Sequence, residues 1–198
     1  MTMDEIELAS FFNESELTAE FYERYADAAH ASAAARDRFE QLVQEHRTGD
    51  ALKLALGLLI LGRFGEALEC FDRAPASKFR HYYAAHAALG LAQYERAVRE
   101  YQQAARQGWD GFTCDMRSAA VHVRAGDLAV AEKLVQKHES GGQDRADWYF
   151  VCGLLADARN ERTTAIDSFE KALTLDPQHT EALFRCARLF DLSGFDEG

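Results

Sequence analysis

Proline occurs only twice in the 198 residues, at Pro75 and Pro177, and cysteine only four times, at Cys70, Cys114, Cys152 and Cys186. With so few breakers, and with β-branched residues sparse beside Ala, Leu, Glu and Arg, the composition favours helices. No two cysteines make a CxxC, and four scattered thiols are too few for a disulfide framework or a sequence-clustered zinc site. They are expected as buried free thiols. A membrane-spanning run is missing too: a spanning helix needs about 20 apolar residues, whereas the greasy stretch LKLALGLLILG at 52–62 is closed off by Arg63. The opening residues MTMDEIELASFF lack a basic region ahead of an apolar one, so no secretory leader is expected and the chain is placed in the cytoplasm.

A basic excess is absent as well. The chain has 33 acidic against 22 basic residues, a net charge of −11, which argues against a nucleic-acid partner. No H-E-x-x-H, G-x-G-x-x-G, phosphate-cradling loop or nucleophile elbow occurs, and the seven histidines show no paired spacing. The expectation is therefore no catalytic residue, no metal, no cofactor and no enzyme. The tripeptide GGQ at Gly141, Gly142 and Gln143 reads as a flexible connector. The sequence NES at 13–15 reads as a helix start, with Asn13 or Ser15 as the N-cap.

What is present is apolar content of 47%, enough to bury a substantial core, and an internal repeat. GRFGEALECFDRA supplies Gly62, Phe64, Ala67, Phe71 and Ala74, and AQYERAVREYQQA supplies Tyr94, Ala97, Tyr101 and Ala104. AGDLAVAEKLVQKH supplies Gly126, Leu128, Ala131 and Val135, with His138 in the last small-residue slot. In the stretch from Ala146 to Pro177, Tyr149 and Gly153 are followed by Ala165, Phe169, Ala172 and Pro177. The marker alanines Ala67, Ala97, Ala131 and Ala165 are spaced 30, 34 and 34 residues apart. A small residue followed four positions later by a large one puts both on one helix face, where close backbones leave a gap for the large side chain. Gly62 and Gly126 suit the positive φ that ends a helix, and Pro177 stops one.

This pattern resembles the tetratricopeptide repeat, a helix–turn–helix unit of about 34 residues. The departures are Tyr149, Cys152 and Ala156 where the pattern has Trp, Leu and Tyr. The resemblance implies an all-α, right-handed superhelical solenoid, with repeats at 48–77, 78–111, 112–145 and 146–179. Residues 180–198 would supply the first helix of a fifth repeat or a cap. Because SGFDEG resembles the GRFGEA turn, continuation into a longer array is the expectation there. Residues 1–47 match the repeat poorly but keep helical periodicity, and Ala35 with Phe39 are candidates for a decayed small–large pair.

The greasy run becomes the first helix (helix A) of the first repeat. In the family, Ala51, Leu54, Ala55 and Leu58 would face the second helix (helix B), and Leu52, Leu56, Leu59 and Ile60 would line a concave groove. Four such side chains left wet would forfeit about 1.5–3 kcal/mol each, so helical residues between about 15 and 46 are expected to cover them, with a second chain as the alternative. Groove positions further on are Phe79, Tyr82, His86 and Leu89; Thr113, Met116, Ala120, Val123 and Arg124; Asp147, Phe150, Leu154 and Asp157; and Glu181, Phe184, Arg188 and Asp191. The carboxylate clamp known in this family is absent, since Leu52, Leu56, Tyr82 and His86 fill its slots.

The implied function is a protein-interaction scaffold binding an apolar or amphipathic segment through Tyr82, His86, Met116, Arg124, Phe150, Leu154, Phe184 and Arg188. Its partner would be a protein or peptide, with homo-oligomerisation through the N-terminal segment as a further option. Arg117, Arg124, Arg185 and Arg188 are expected to pair with Asp157, Glu181 and Asp191, the alternative being convergence on an acidic ligand. Two rival readings are a chaperone of the type III secretion class and the targeting arm of a larger protein.

Overall fold

The computed structural model describes residues 8–194, and among these it contains twelve helices and no strand. In chain order they are α1 (Ala19–His30), α2 (Ala33–Glu45), α3 (Ala51–Ile60), α4 (Phe64–Arg73), α5 (Lys78–Gly90), α6 (Tyr94–Arg106), α7 (Gly111–Ala125), α8 (Leu128–Lys137), the short α9 (Glu139–Gly142), α10 (Ala146–Ala158), α11 (Arg162–Leu175) and α12 (Thr180–Gly194).

One turn recurs four times. Gly62, Ala92, Gly126 and Asn160 all take positive φ, between 56° and 86°. At each, the following residue donates its amide five positions back: Arg63 to Leu58, Gln93 to Ala88, Asp127 to His122 and Glu161 to Ala156. This left-handed closure satisfies carbonyls that the helix end would otherwise leave open. The chain then re-enters a helix at once, with Ala67, Ala97, Ala131 and Ala165 making the first amide bonds of α4, α6, α8 and α11. All four alanines are fully buried, and Phe71, Tyr101, Val135 and Phe169 four residues on are buried with them. In the hairpins α3–α4, α5–α6 and α7–α8 the two helices use different starts, whereas neither α10 nor α11 has a side-chain cap. Asp50, Ser77 and Asp110 cap α3, α5 and α7 through their side chains, while α4, α6, α8 and α11 have no side-chain cap and spring from the turn itself.

The chain divides into two compact units between Trp109 and Asp110. In the first, residues 8–47 form a hairpin broken at Ala31 and Ser32. Its caps are Thr18, accepting from Phe21 N at 3.0 Å, and Ser32, accepting from Ala35 N at 3.0 Å. Asn13 and Ser15, the expected caps, do not serve α1. Helices α1 and α2 pack on α3, and Leu56, Leu59 and Ile60 are buried with Leu52 half-buried. The cover thus comes from the same chain, and it begins earlier than residue 15. Phe11 meets Phe21, Tyr25 and Phe39 at 5.0–5.1 Å, and Lys53 Nζ donates to the carbonyls of Phe12 and Glu14 at 2.7 and 2.5 Å. Gly57 allows the approach, since a Cβ there would sit 2.8 Å from Val43. Ala35 and Phe39 are both buried, but Ala31 keeps a right-handed φ of −61°, so this hairpin lacks the turn that the other four share.

The second unit repeats the scheme with α7 to α12, around Met116, Ala119, Ala131, Phe150, Leu154, Ala165, Phe169 and Leu189. Gly153 lets α10 meet α11, with the Phe169 ring where its Cβ would lie, at 2.6 Å. The GGQ connector is not open coil: Glu139–Gly142 forms a helical turn whose buried Gly142 abuts the Trp148 ring. All four cysteines are free; Cys70, Cys114 and Cys186 are buried, and Cys152 is only half-buried.

Candidate ligand-facing surfaces

In the first unit the expected groove residues lie on α5. Tyr82 stacks on Trp109 with ring centres 4.0 Å apart and planes 10° from parallel, and Phe79 meets Trp109 edge-on at 5.2 Å. His86 lies 4.9 Å from Tyr82, and Tyr83 packs on Tyr22 of α1 at 4.5 Å. Tyr82 is buried, whereas Phe79, His86, Leu89, Tyr22 and Trp109 stay half-buried and form the accessible part of an aromatic surface. Burial pushes the Tyr22 phenol up to about 12 and raises Tyr83 further, with the neighbouring Tyr82, Tyr22 and Glu23 adding to it. These rings are therefore uncharged at neutral pH.

Trp109 is not among the expected site residues, although a sequence signal exists. Gly108, at φ 90°, ends α6 as the other turns end their helices, and Trp109 N donates to Ala104 O at 3.0 Å. An apolar residue directly after such a glycine folds back onto its helix, which here brings the indole to Tyr82.

In the second unit three of the expected groove residues are not exposed. Met116, Phe150 and Leu154, expected to line an apolar groove, are only 1–3% exposed and belong to the core. Phe150 lies 4.7 Å from His179 and 5.8 Å from Phe169. All three are buried by core packing, in one cluster with Ala119, Ala165 and Phe169, while arginines at neighbouring positions form ion pairs. Arg117 reaches Glu181 at 3.1 Å and Asp147 at 3.7 Å, and Arg124 reaches Glu181 at 3.2 Å. Arg188 and Arg185 both hold Asp157, at 2.5 and 3.5 Å. The third carboxylate of this lattice is Asp147 rather than Asp191. Burial alone would raise Asp147, but the His179 ring 3.7 Å away and the charges of Arg117 and Arg145 outweigh it and hold the carboxyl below its ordinary range. Arg185 is shifted down by burial and by Arg188 and Arg124, which Asp157 and Glu181 only partly offset.

Beside the lattice, Phe184 is 69% exposed, and Leu183 and Phe190 are also exposed on α12. Of the eight expected groove residues, Tyr82 and His86 thus share the aromatic surface of the first unit, while Arg124, Phe184 and Arg188 lie at or beside the lattice of the second. A separate cleft of about 230 Å³ in the second unit is lined by Val135, Cys152, Leu155, Arg159 and Thr164 among others. Burial pushes the Cys152 thiol up to about 11, so it is no ready nucleophile. Among the described residues, no group of three or more His, Cys, Asp or Glu is placed to hold a metal, and no helix is long and apolar enough to cross a membrane.

The family model described as tetratricopeptide repeat matches residues 147–179. Among curated proteins none matches in sequence. Among solved structures, the chain is similar to TTC0263, a thermophilic TPR protein of Thermus thermophilus, at 19% identity and a TM-score of 0.61, over 87% of this chain and 99% of that one. It is also similar to MamA (41 to end) of Desulfovibrio magneticus RS-1, at 21% identity and a TM-score of 0.51, over 74% of this chain and 87% of the other. A third similar structure, YrrB, is described as a TPR protein with an unusual peptide-binding site; it is 18% identical with a TM-score of 0.50, over 90% of this chain and 96% of that one. With the recurrent turn and the buried marker alanines, the chain has the fold of tetratricopeptide-repeat proteins, and its segment on α10 and α11 matches the model of that repeat.

Proposed function

We propose that the chain is a protein-interaction module whose helix-A surfaces receive a short apolar or amphipathic segment of a partner protein. The carrying observation is Phe184, a large aromatic side chain 69% exposed beside ordered ion pairs on α12. Large apolar groups left open on a rigid, polar-rimmed surface mark interaction sites rather than ordinary solvent faces. The aromatic surface of Phe79, His86 and Trp109 supports the same reading, and the similar YrrB is a peptide binder by its description. Tyr82, Met116, Phe150 and Leu154 act from beneath, holding the contact residues in place. Four unpaired cysteines suit a reducing compartment, which favours the cytoplasm.

The test is a peptide array probed with the labelled, folded chain, with Phe184→Ala and His86→Ala as comparison probes. Defined peptides should bind the wild type, and each substitution should remove a subset of them without altering the melting temperature. An array on which no peptide binds would refute the module reading.

A further inference from the structure

We infer that the arginine lattice of the second unit is a docking site for an acidic peptide segment, which seats a carboxylate at Arg124, Arg185 and Arg188 and an adjacent apolar side chain on Phe184. This rests on the interaction-module reading and names the chemistry of the partner at that surface.

Four guanidiniums share three carboxylates, and two of these are divided: Glu181 between Arg117 and Arg124, Asp157 between Arg185 and Arg188. A guanidinium carries five N–H donors, while a carboxylate offers about four acceptor sites. Arg124 and Arg188, at the outer side of the group, are where a further carboxylate can be received. Arg124 and Arg188 are both exposed and each engages its partner through one terminal nitrogen, leaving an edge open to solvent. Forked, charge-assisted pairing of arginine with carboxylate is the strongest contact such an edge can make.

Electrostatics point the same way. The four arginines and the three carboxylates they hold sum to +1, in a chain whose net charge is −11. Asp191, close behind Arg188 on α12, enters none of these pairs. An acidic peptide fits this surface better than a nucleic acid does. The interleaved Asp147, Asp157 and Glu181 repel a continuous phosphate backbone, whereas a single carboxylate can lodge between them. Phe184 immediately precedes Arg185 on α12 and stands four residues before Arg188, so the apolar neighbour of that carboxylate finds its platform on the same helix.

The experiment sorts the array peptides by composition and measures the best binder by fluorescence anisotropy. Binders should be enriched in Asp or Glu adjacent to Leu, Ile or Phe. Replacing the peptide's acidic residue by its amide, or Arg188 by Gln, should weaken binding about tenfold. Arg124→Gln combined with Arg188→Gln should weaken it further. Raising salt from about 50 to about 500 mM should weaken the wild-type complex as well. The peptide exchange and the salt series use the wild-type chain and hold even if a variant fails to fold. If peptides bind without acidic enrichment and ignore both arginine substitutions, this inference falls and the module reading stands. If none binds, the module reading itself falls. Preference for a labelled single-stranded oligonucleotide over the acidic peptides would also overturn it.

Discussion

Helix α5 of the first unit and helix α10 of the second use the same register to different ends. On α5, Phe79 and Tyr82 lie against Trp109 and His86 lies against Tyr82, so that around the buried Tyr82 the half-buried Phe79, His86 and Trp109 form the accessible surface. On α10, Phe150 and Leu154 occupy the corresponding positions, but Asp147 and Asp157 flank them and draw arginines across from α7 and α12. Phe150 and Leu154 themselves are buried in the core with Met116 and Phe169. A register position therefore specifies which face a side chain shares. Whether it reaches solvent depends on what packs against it from the rest of the chain.

The ends of the two units differ in a second way. Helix α3 is covered by α1 and α2, whereas α12 leaves Leu183, Phe184 and Phe190 exposed. The largest expected effect breaks the first arrangement. A chain beginning at residue 48 loses Phe11, Phe21, Tyr25 and Phe39 from the core and bares Leu56, Leu59 and Ile60. At about 1.5–3 kcal/mol per buried side chain, it should aggregate or bind a hydrophobic dye strongly. A monomeric, dye-silent product would show that the hairpin is dispensable to α3.

Next in size is a pair of substitutions, one at a buried and one at an exposed aromatic. Phe150→Asp places an unpaired carboxylate in the core and should destabilise by about 3–5 kcal/mol. Phe184→Asp, on an exposed ring, should change stability by about 0.5 kcal/mol or less. Denaturant midpoints measure both, and equal effects would refute the distinction between buried and exposed positions.

Much of this architecture was legible in the sequence. The turn positions and the marker alanines follow from spacing alone, because a close helix contact demands a small residue and the gap beside it a large one. The burial of Met116, Phe150 and Leu154 was not legible. It depends on residues such as Phe169 and His179 packing in from other parts of the chain, and helical periodicity carries no such information. Thr18 and Ser32 were missed as caps because Asn13 and Ser15 suit a cap equally well by identity. The seating of Gly142 against Trp148 was hidden behind a tripeptide that reads as a linker on composition.

Titration separates the units further. Among the described residues, the aspartates held below their ordinary value of 3.8 are Asp110, Asp115 and Asp147, all in the second unit. In each, burial alone would act upward, and hydrogen bonds or nearby cations outweigh it. A depressed carboxyl stabilises the fold above its unfolded pKa and loses that contribution as pH falls below about 3.8 through the folded value. The raised tyrosines Tyr22, Tyr25 and Tyr83 lie in the first unit. Their contribution is complete below 10, the ordinary value, and is lost as pH rises through their folded values. Acid should therefore loosen the second unit first, and alkali the first. The two tryptophans sit one in each unit, so Trp148→Phe and Trp109→Phe each leave a single reporter. Simultaneous fluorescence transitions at both extremes would show that the units unfold as one.

The smallest expected effect compares the turns. Within its helical hairpins each unit has one glycine turn, Gly62 or Gly126, and one that places an L residue at positive φ: Ala92 at 56° in the first unit and Asn160 at 61° in the second. A left-handed conformation costs an ordinary L residue about 1–2 kcal/mol, while glycine adds roughly 0.5–1 kcal/mol of chain entropy to the cost of folding. Ala92→Gly should therefore stabilise by about 0.5–1 kcal/mol, the strain relieved exceeding the entropy added. Asparagine tolerates this region through local hydrogen bonding of its short side chain, so Asn160→Gly should be neutral or slightly destabilising. Both positions are exposed, so packing does not obscure the difference. Thermal melts of the two variants beside the wild type give the order. A larger gain at Asn160 than at Ala92 would mean that the asparagine side chain contributes nothing to its turn.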